Sequence, residues 1–428
     1  MFGLYIRQFW VHTIDMSGIN RNISSKINRL LDLFPAVIIL GVRQCGKTFL
    51  TKQLKPSWNY IDLEDPGDFD RLSLDPKFFF QEYSEELIID EAQKVPGAFD
   101  VLRGVIDKNR KQNGRFLITG SSSQELIKNV SESLAGRAAV VELGTLKANE
   151  IFEKPMSQFY KLFEKKITKK DIEFLKNLSP VVHPSEMKHV FLYGGYPDAV
   201  LNFRKTNYQI WMEQYFKLYI NRDIRNLFPG LDIIKYRRFI KMLTSLAGRL
   251  INKAELARSL DISETTAKDY LDIAHGTFVW RTTHHFDRDQ TVSLVKMPRG
   301  GFRDSGLLNS LLSNIEFNDL ESYPYLGRIF ENFVCEEIIR GIESSMATNC
   351  NYQYFRTKNG AEIDLIVSGN FGILPIEIKY GVAIDKKKLV TLEHFVRRHK
   401  LPFGIVINNS DQPLLIKENI LQIPANFI

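Results

Sequence analysis

The stretch "GVRQCGKTFL", residues 41–50, follows the unbroken apolar run Ala36-Val37-Ile38-Ile39-Leu40. The run reads as a buried strand, and the residues from Lys47 to about Leu54 read as a helix that stops before Lys55-Pro56. Between them Gly41, Gly46, Lys47 and Thr48 satisfy the spacing G-x-x-x-x-G-K-[ST]. Each residue type has a chemical reason. Glycines let the backbone curl so that successive N–H groups point inward at phosphate oxygens, and the following helix adds its positive end. Lys47 would neutralise the outer phosphates of a triphosphate and the Thr48 hydroxyl would ligate Mg²⁺. Arg43, Gln44, Cys45 and Phe49 complete the expected loop. ATP with Mg²⁺ is the ligand this pattern predicts.

Two further stretches supply the rest of such a site. "ELIIDEAQ", residues 86–93, is a strand ending in Asp90 and Glu91. Acids at the carboxyl end of a parallel strand lie on the ligand edge of an α/β sheet. Asp90 is expected to hold the magnesium, and Glu91 to orient and activate the attacking water. "RFLITGSSS", residues 115–123, is a third strand ending in small polar residues. Thr119 or Ser121 could bridge that water and the γ-phosphate, and either could simply cap a turn. "SESLAGR" then places Arg137 before another apolar strand, Ala138 to Leu143. Two readings fit Arg137: a guanidinium offered to the γ-phosphate of a neighbouring subunit, which implies a homo-oligomer, or an ordinary surface arginine.

"GVRQCGKT", "LIIDEAQKVP", "LITGSSS" and "SLAGR", in that order, resemble the AAA-type ATPase domain of a large prokaryotic family whose C-terminal region has no known function. The resemblance continues in "YGGYPDAV" (193–200), "YINRDIRNLF" (219–228) and "FRDSGLL" (302–308), and so spans nearly the whole chain. It marks Arg222 and Asp223, for which no role outranks a structural ion pair. Cys45 departs from the small residue common at its position, which should not matter where only a backbone N–H is needed.

The middle of the chain is helical from about Thr145 to Tyr236, where AAA proteins carry a lid. "KAELARSLDISETTAKDYLDIAHGTFV", residues 253–279, fits a helix-turn-helix with Ser263 as N-cap. "FVWRTTHHF" and the loop "DRDQ" would be the wing of a winged helix. Its second helix carries Glu264, Lys268, Asp269 and Asp272, poor chemistry for docking on phosphates, so a protein-contact or structural winged helix is expected ahead of one that reads the DNA major groove.

Three pieces near the C-terminus converge on one pattern. "LGRIFENFVCEEIIRGI" (326–342) leaves Glu331 beside an apolar stripe; "GAEIDLIV" (360–367) puts Glu362 and Asp364 on one side of a strand; "ILPIEIKYG" (373–381) projects Glu377 and Lys379 together. The set resembles the active site of the PD-(D/E)XK, restriction-endonuclease-like superfamily. That resemblance implies a second Mg²⁺ held by Asp364, Glu377 and Glu331, with Lys379 acting on a metal-bound water. A retained fold used for docking or oligomer contacts is the alternative, since fold alone does not establish activity.

Size and composition bound these readings. The chain has 428 residues, 44% hydrophobic and 25% charged, which fits several soluble domains. No apolar run approaches the length of a membrane span, and "MFGLYIRQFWVHTIDM" is not read as a signal peptide. Three cysteines without pairing or metal spacing suit a reducing cytoplasm. The formal charge is +7, and residues 203–253 hold eleven Lys and Arg against three acids. That stretch is either a footprint for nucleic acid, DNA ahead of RNA, or a solvated helix face.

The expected architecture is therefore α/β. A loose extension (1–18) precedes an AAA-type P-loop NTPase core with a parallel sheet (19–145) and a helical lid (146–236). A winged helix (237–297) and a restriction-endonuclease-like α/β domain (298–428) follow.

Overall fold

Ala36–Leu40 (β1) is apolar and buried at every position, as the centre of a parallel sheet requires. The computed structural model describes residues 18–121, 133–202, 205–287, 296–314, 316–357, 359–382, 384 and 389–428. Of the expected N-terminal extension, residues 1–17 lie outside the described residues, as do 288–290 of the expected wing loop. Around β1 stand Asn59–Asp62 (β2), Leu87–Asp90 (β3), Phe116–Gly120 (β4) and Ala138–Glu142 (β5). They form a parallel sheet in the order β2-β3-β4-β1-β5. Because β3, β4 and β1 are neighbours, their carboxyl ends bring Asp90, Thr119 to Ser121 and the Gly41 loop to one edge. This is the fold of a P-loop NTPase.

After β5 the chain turns helical, with Pro184–Tyr193, Pro197–Asn202 and Lys205–Leu218 leading into a π-helical turn, Tyr219–Ile224. The helices Ile233–Leu246, Lys253–Leu260 and Glu264–Gly276 follow, accompanied by Arg249–Leu250 (β6), Trp280–His285 (β7) and Arg299–Phe302 (β8). Ser263 caps the last of these helices by accepting the Thr266 N–H at 3.0 Å. The C-terminal sheet adds Asn351–Arg356 (β9), Glu362–Gly369 (β10), Gly372–Ile378 (β11), Gly404–Asn408 (β12), Leu414–Lys417 (β13) and Ile420–Pro424 (β14).

The boundary drawn at residue 297 cuts through one sheet. β8 pairs with β6 and β7, and β7 pairs in parallel with β9, giving the order β13-β14-β12-β11-β10-β9-β7-β8-β6. The physical reason is the second edge of β7, whose backbone groups would otherwise lack partners. The helix Leu326–Ser344 packs on one face of this sheet. On the other, Phe395 and Val396 of the helix Val390–Arg398 join Ile363, Ile366 and Val406 in a separate apolar cluster.

The two halves are joined by buried charge. Glu337, fully buried on the helix Leu326–Ser344, accepts from Lys147 Nζ at 3.0 Å and Arg340 Nη2 at 2.6 Å. Arg340 also donates to Thr145 Oγ1 at 2.7 Å, and Arg281 bridges Glu142 and Glu336. Asp304 accepts from the Gly195 N–H and the Thr145 hydroxyl, both at 2.9 Å, which ties "FRDSGLL" to "YGGYPDAV". A Cβ on Gly306 would stand 2.1 Å from the Tyr193 carbonyl oxygen, so glycine is what lets these two motifs touch.

Candidate functional site

Gly46 begins the helix Lys47–Leu54 at φ 93°, a left-handed conformation that suits glycine. Gly41 answers a different demand: a Cβ there would lie 2.3 Å from the carbonyl oxygen of Leu143, the residue just after β5. The loop between them borders a cavity of about 340 Å³, within the range of small-molecule sites. Arg43, Gln44, Gly46, Lys47, Thr48, Phe49, Asp90 and Glu91 all line it. Cys45 does not; it is fully buried, and Arg21 Nη1 donates to its carbonyl at 2.8 Å.

Lys47 is 5% exposed and donates to the carbonyls of Gly41 at 3.0 Å and Val42 at 3.1 Å. Its ammonium thus rests on the loop that a phosphate would fill. Asp90 collects three hydroxyl donors: Thr48 at 2.5 Å, Tyr60 at 2.7 Å, and Thr119. Burial first, then the hydrogen bond and charge of Asp90, hold the Tyr60 hydroxyl far above its ordinary value, so it stays a donor. Glu91 sits at φ 55°, and its N–H reaches Thr119 Oγ1 at 3.2 Å. The left-handed turn swings its carboxylate toward Ser121, which donates to Oε2 at 2.8 Å, while Gln93 donates to the same oxygen. Thr119 therefore serves Asp90 and Ser121 serves Glu91.

Thr48 and Asp90 offer hard oxygens side by side at the cavity, the donor set that suits Mg²⁺, so these residues fit the ion that the fold implies.

Arg137 lies at the opposite edge of the sheet. It precedes Ala138, which is in register with Ala36 at the start of β1, so the length of a five-residue strand separates it from the loop. At the usual rise that is about 16 Å. Its guanidinium makes two hydrogen bonds of 2.8 Å to Asp107. Delivery to its own nucleotide is therefore ruled out by geometry.

In the C-terminal sheet Glu331, Asp364, Glu377 and Lys379 are brought into one cluster. Lys379 Nζ is 2.6 Å from Glu377 and 3.7 Å from Asp364. The register of β10 against β9 slips by one residue between Ile363 and Ile366, a bulge of the kind that re-aims a side chain beside a site. Asp364 lies in that bulge and accepts the Ile378 N–H at 2.8 Å. The centre of the cluster, however, holds an arginine. Arg299 of β8 reaches Glu331 at 2.8 Å and Asp364 at 3.2 Å, and donates to the Gly248 carbonyl at 2.6 Å. It is 7% exposed. Burial and the Asp364 charge push the Glu331 carboxyl up against the pull of Arg299; burial and Asp364 likewise raise Glu377 against Lys379. The expected divalent ion does not fit this arrangement, because a guanidinium stands between two of its three carboxylates. Among the described residues no group of three or more His, Cys, Asp or Glu is arranged to hold a metal.

Three residues at these sites, Tyr60, Arg21 and Arg299, escaped sequence reading, and Asp223 is marked only by the family resemblance. Tyr60, Arg21 and Asp223 reach the loop region from other elements, Asp223 by pairing with Arg43 Nη1 at 2.8 Å. Arg299 meets partners 32 and 65 residues away, a separation at which no local spacing signals a pair.

Among known families the chain matches an AAA domain over residues 33–152, a domain of unknown function (DUF8612) over 185–318 and a second (DUF4143) over 326–428. An uncharacterized protein of Mycobacterium tuberculosis is 32% identical over 416 residues, 95% of this chain and 84% of its own length. An uncharacterized protein of Methanocaldococcus jannaschii is 26% identical over 371 residues, 82% of this chain and 75% of its own. Among solved structures, a Walker-type ATPase of Pyrococcus abyssi is similar over 70% of this chain and 97% of its own, at 15% identity and a TM-score of 0.44.

Proposed function

Because the chain belongs to the family of AAA-domain ATPases that end in the domain of unknown function DUF4143, we propose that it is a nucleotide-gated switch whose nuclease-like module binds and does not cut. ATP binding and hydrolysis are the family's chemistry. In the proposed site Lys47 leaves the Gly41 and Val42 carbonyls for the outer phosphates. Glu91, its Oε2 held by Ser121, orients the attacking water. Thr48 and Asp90 would hold the magnesium ion, which supplies charge neutralisation on the phosphates when bound. Arg137, which cannot serve its own site, is the residue offered to a neighbouring copy, and this supports a homo-oligomer.

One observation carries the non-cleaving reading: Arg299 stands where the nuclease resemblance requires a divalent cation. The helices Lys253–Leu260 and Glu264–Gly276, with β6, β7 and β8, are read as a winged-helix-like module for protein contact. Glu264, Lys268, Asp269 and Asp272 are all exposed on its second helix, leaving three acids against one base. A second reading, cleavage of DNA or RNA, is favoured by Glu377 Oε2, a buried oxygen without a hydrogen-bond partner. That reading needs Arg299 to leave the cluster.

The experiment offers single-stranded, duplex and branched DNA to the full chain with Mg²⁺, with and without ATP, with Asp364→Ala as control. The expected outcome is ATP turnover that vanishes in Lys47→Ala and persists in Asp364→Ala, with no cleavage. Cleavage that depends on Asp364 would refute the non-cleaving reading.

A further inference from the structure

The turn Tyr219–Ile224, "YINRDI", is a π-helix set into a helical run, a feature that concentrates at functional sites. Its three consecutive polar residues are all engaged. Asn221 accepts from Arg237 Nη2 at 2.6 Å, on the helix Ile233–Leu246. Arg222 reaches Glu64 at 3.6 Å, at the rim of the nucleotide cavity. Asp223 pairs with Arg43, a residue of the glycine loop itself, at 2.8 Å. The preceding helix supports the same contact, since the Tyr215 hydroxyl donates to the Arg43 carbonyl at 3.4 Å. Arg43 is thus a cation on the cavity wall, gripped by Asp223 on one side and by Glu64 at 3.1 Å on the other.

We propose that Asp223 is a positioning residue for ATP hydrolysis: it aims the Arg43 guanidinium at the polyphosphate, making Arg43 a second loop cation beside Lys47. A guanidinium needs a fixed plane to donate two parallel hydrogen bonds to phosphate oxygens. Left on its own flexible stem Arg43 would pay the entropy of ordering at each binding event; Asp223 orders it in advance. The π-turn is what places Asp223 there. The same turn sends the Tyr219 hydroxyl to Thr277 at 2.8 Å and Tyr236 at 3.1 Å, so a shift of Arg43 toward phosphate would be felt by both helices that those residues cap or build. The inference rests on the nucleotide site proposed above.

The test measures binding of ADP and of a non-hydrolysable ATP analogue by calorimetry, and kcat and KM for ATP, on full-length protein. The variants are Asp223→Asn, Asp223→Glu, Arg43→Ala and the double Asp223→Asn/Arg43→Ala. Asp223→Asn should cut the preference for the ATP analogue over ADP about tenfold, the scale of one charge-assisted hydrogen bond. Asp223→Glu should recover most of it. In the Arg43→Ala background, Asp223→Asn should add less than about twofold, because the two act as one unit. A merely structural Asp223 would lower the melting temperature and leave the ATP-to-ADP ratio alone. Independent, multiplying effects of the two substitutions would overturn the proposal, as would an unchanged ratio in Arg43→Ala, a variant that leaves Asp223 and its turn intact. Lys47→Ala separates the two ideas: if it binds nucleotide as wild type does, the site itself is wrong, whatever Asp223 does.

Discussion

Replacing Arg299 by methionine removes the cation between Glu331 and Asp364 and keeps much of the side-chain volume. Both pairs are buried and short, at 2.8 and 3.2 Å, and breaking such a pair by removing one partner costs about 3–5 kcal/mol. The loss must also depend on pH in a definite direction. Wild type sets two cations, Arg299 and Lys379, against the carboxylates of Glu331, Asp364 and Glu377. Glu331 and Glu377 are already pushed up in wild type, and without Arg299 the charge that opposes this at Glu331 is gone, so the folded cluster holds its protons more tightly still. A carboxyl raised by folding loses stability as pH climbs above its unfolded value, here by about 1.4 kcal/mol per unit for each such proton. The variant should therefore fall further behind wild type as pH rises from 6 to 8, beyond the loss that the raised Glu331 and Glu377 already impose on wild type. Mn²⁺ without nucleotide should return about 2.7 kcal/mol to the variant at a hundred times its dissociation constant, and nothing to wild type. Denaturation followed by tryptophan fluorescence reads both, since Trp280 is fully buried on β7 beside β8. A variant as stable as wild type at pH 8, or wild type equally stabilised by Mn²⁺, would refute the idea that Arg299 fills a cation position.

Three further outcomes follow from the geometry. Glu91→Gln should bind ATP normally and lose turnover by 10² or more, on the scale of a general base; steady-state and binding assays together check it, and equal turnover removes the assignment. Arg137→Ala should cost about 10³ in turnover, yet a mixture with Lys47→Ala should regain activity because each supplies what the other lacks; silence on mixing, with concentration-independent wild-type turnover, argues against a shared site. Glu337 is governed first by its burial, which alone would raise its carboxyl, but Lys147 and Arg340 outweigh this and hold it below the ordinary glutamate value. Its stabilisation is accordingly full above about pH 4.3, the unfolded value, and lost as pH falls through the lower folded one. Glu337→Gln should cost about 3 kcal/mol at pH 7, with the gap to wild type closing under acid denaturation.

The legible parts of the molecule were those in which one short segment carries the whole signal. The glycine loop, the strand ending in Asp90-Glu91 and the helix capped by Ser263 each declare themselves within ten residues or so. The dispersed set Glu331, Asp364, Glu377 and Lys379 could be assembled only through its resemblance to the restriction-endonuclease-like pattern, with periodicity fixing which residues share a face within each element. What could not be read was pairing across elements. Arg299 looks in sequence like the start of "RGGF", and nothing there says that it will settle among the carboxylates. The bulge at Asp364 and the joining of β7 to β9 are tertiary outcomes, decided by which edges lie free once the rest has packed.

On the proposed switch reading, the junction between the halves limits how a nucleotide signal can travel. Lys147 and Glu337 are almost wholly shielded from water, so their pairing is not loosened by salt as a surface bridge would be. Phe427 and Asn426, near the last residue of the chain, accept hydrogen bonds from Ser157 and from the Val181 N–H, adding a second clasp. A module held at two buried places does not swing on a hinge. Strain entering at the loop has two routes instead: through Thr145 and Arg340 into the helix Leu326–Ser344, which carries Glu331 on the same body as Glu336 and Glu337, or through Asp223 into the helices packed behind the π-turn. The first route ends at buried ion pairs that resist displacement. The second ends at Tyr219, Tyr236 and Thr277, neutral hydroxyls that can exchange partners at small cost. Movement driven by ATP should therefore be largest in the helices from Ile233 to Gly276, and hydrogen exchange that changed with nucleotide along Leu326–Ser344 but not there would place the switch on the wrong side of this molecule.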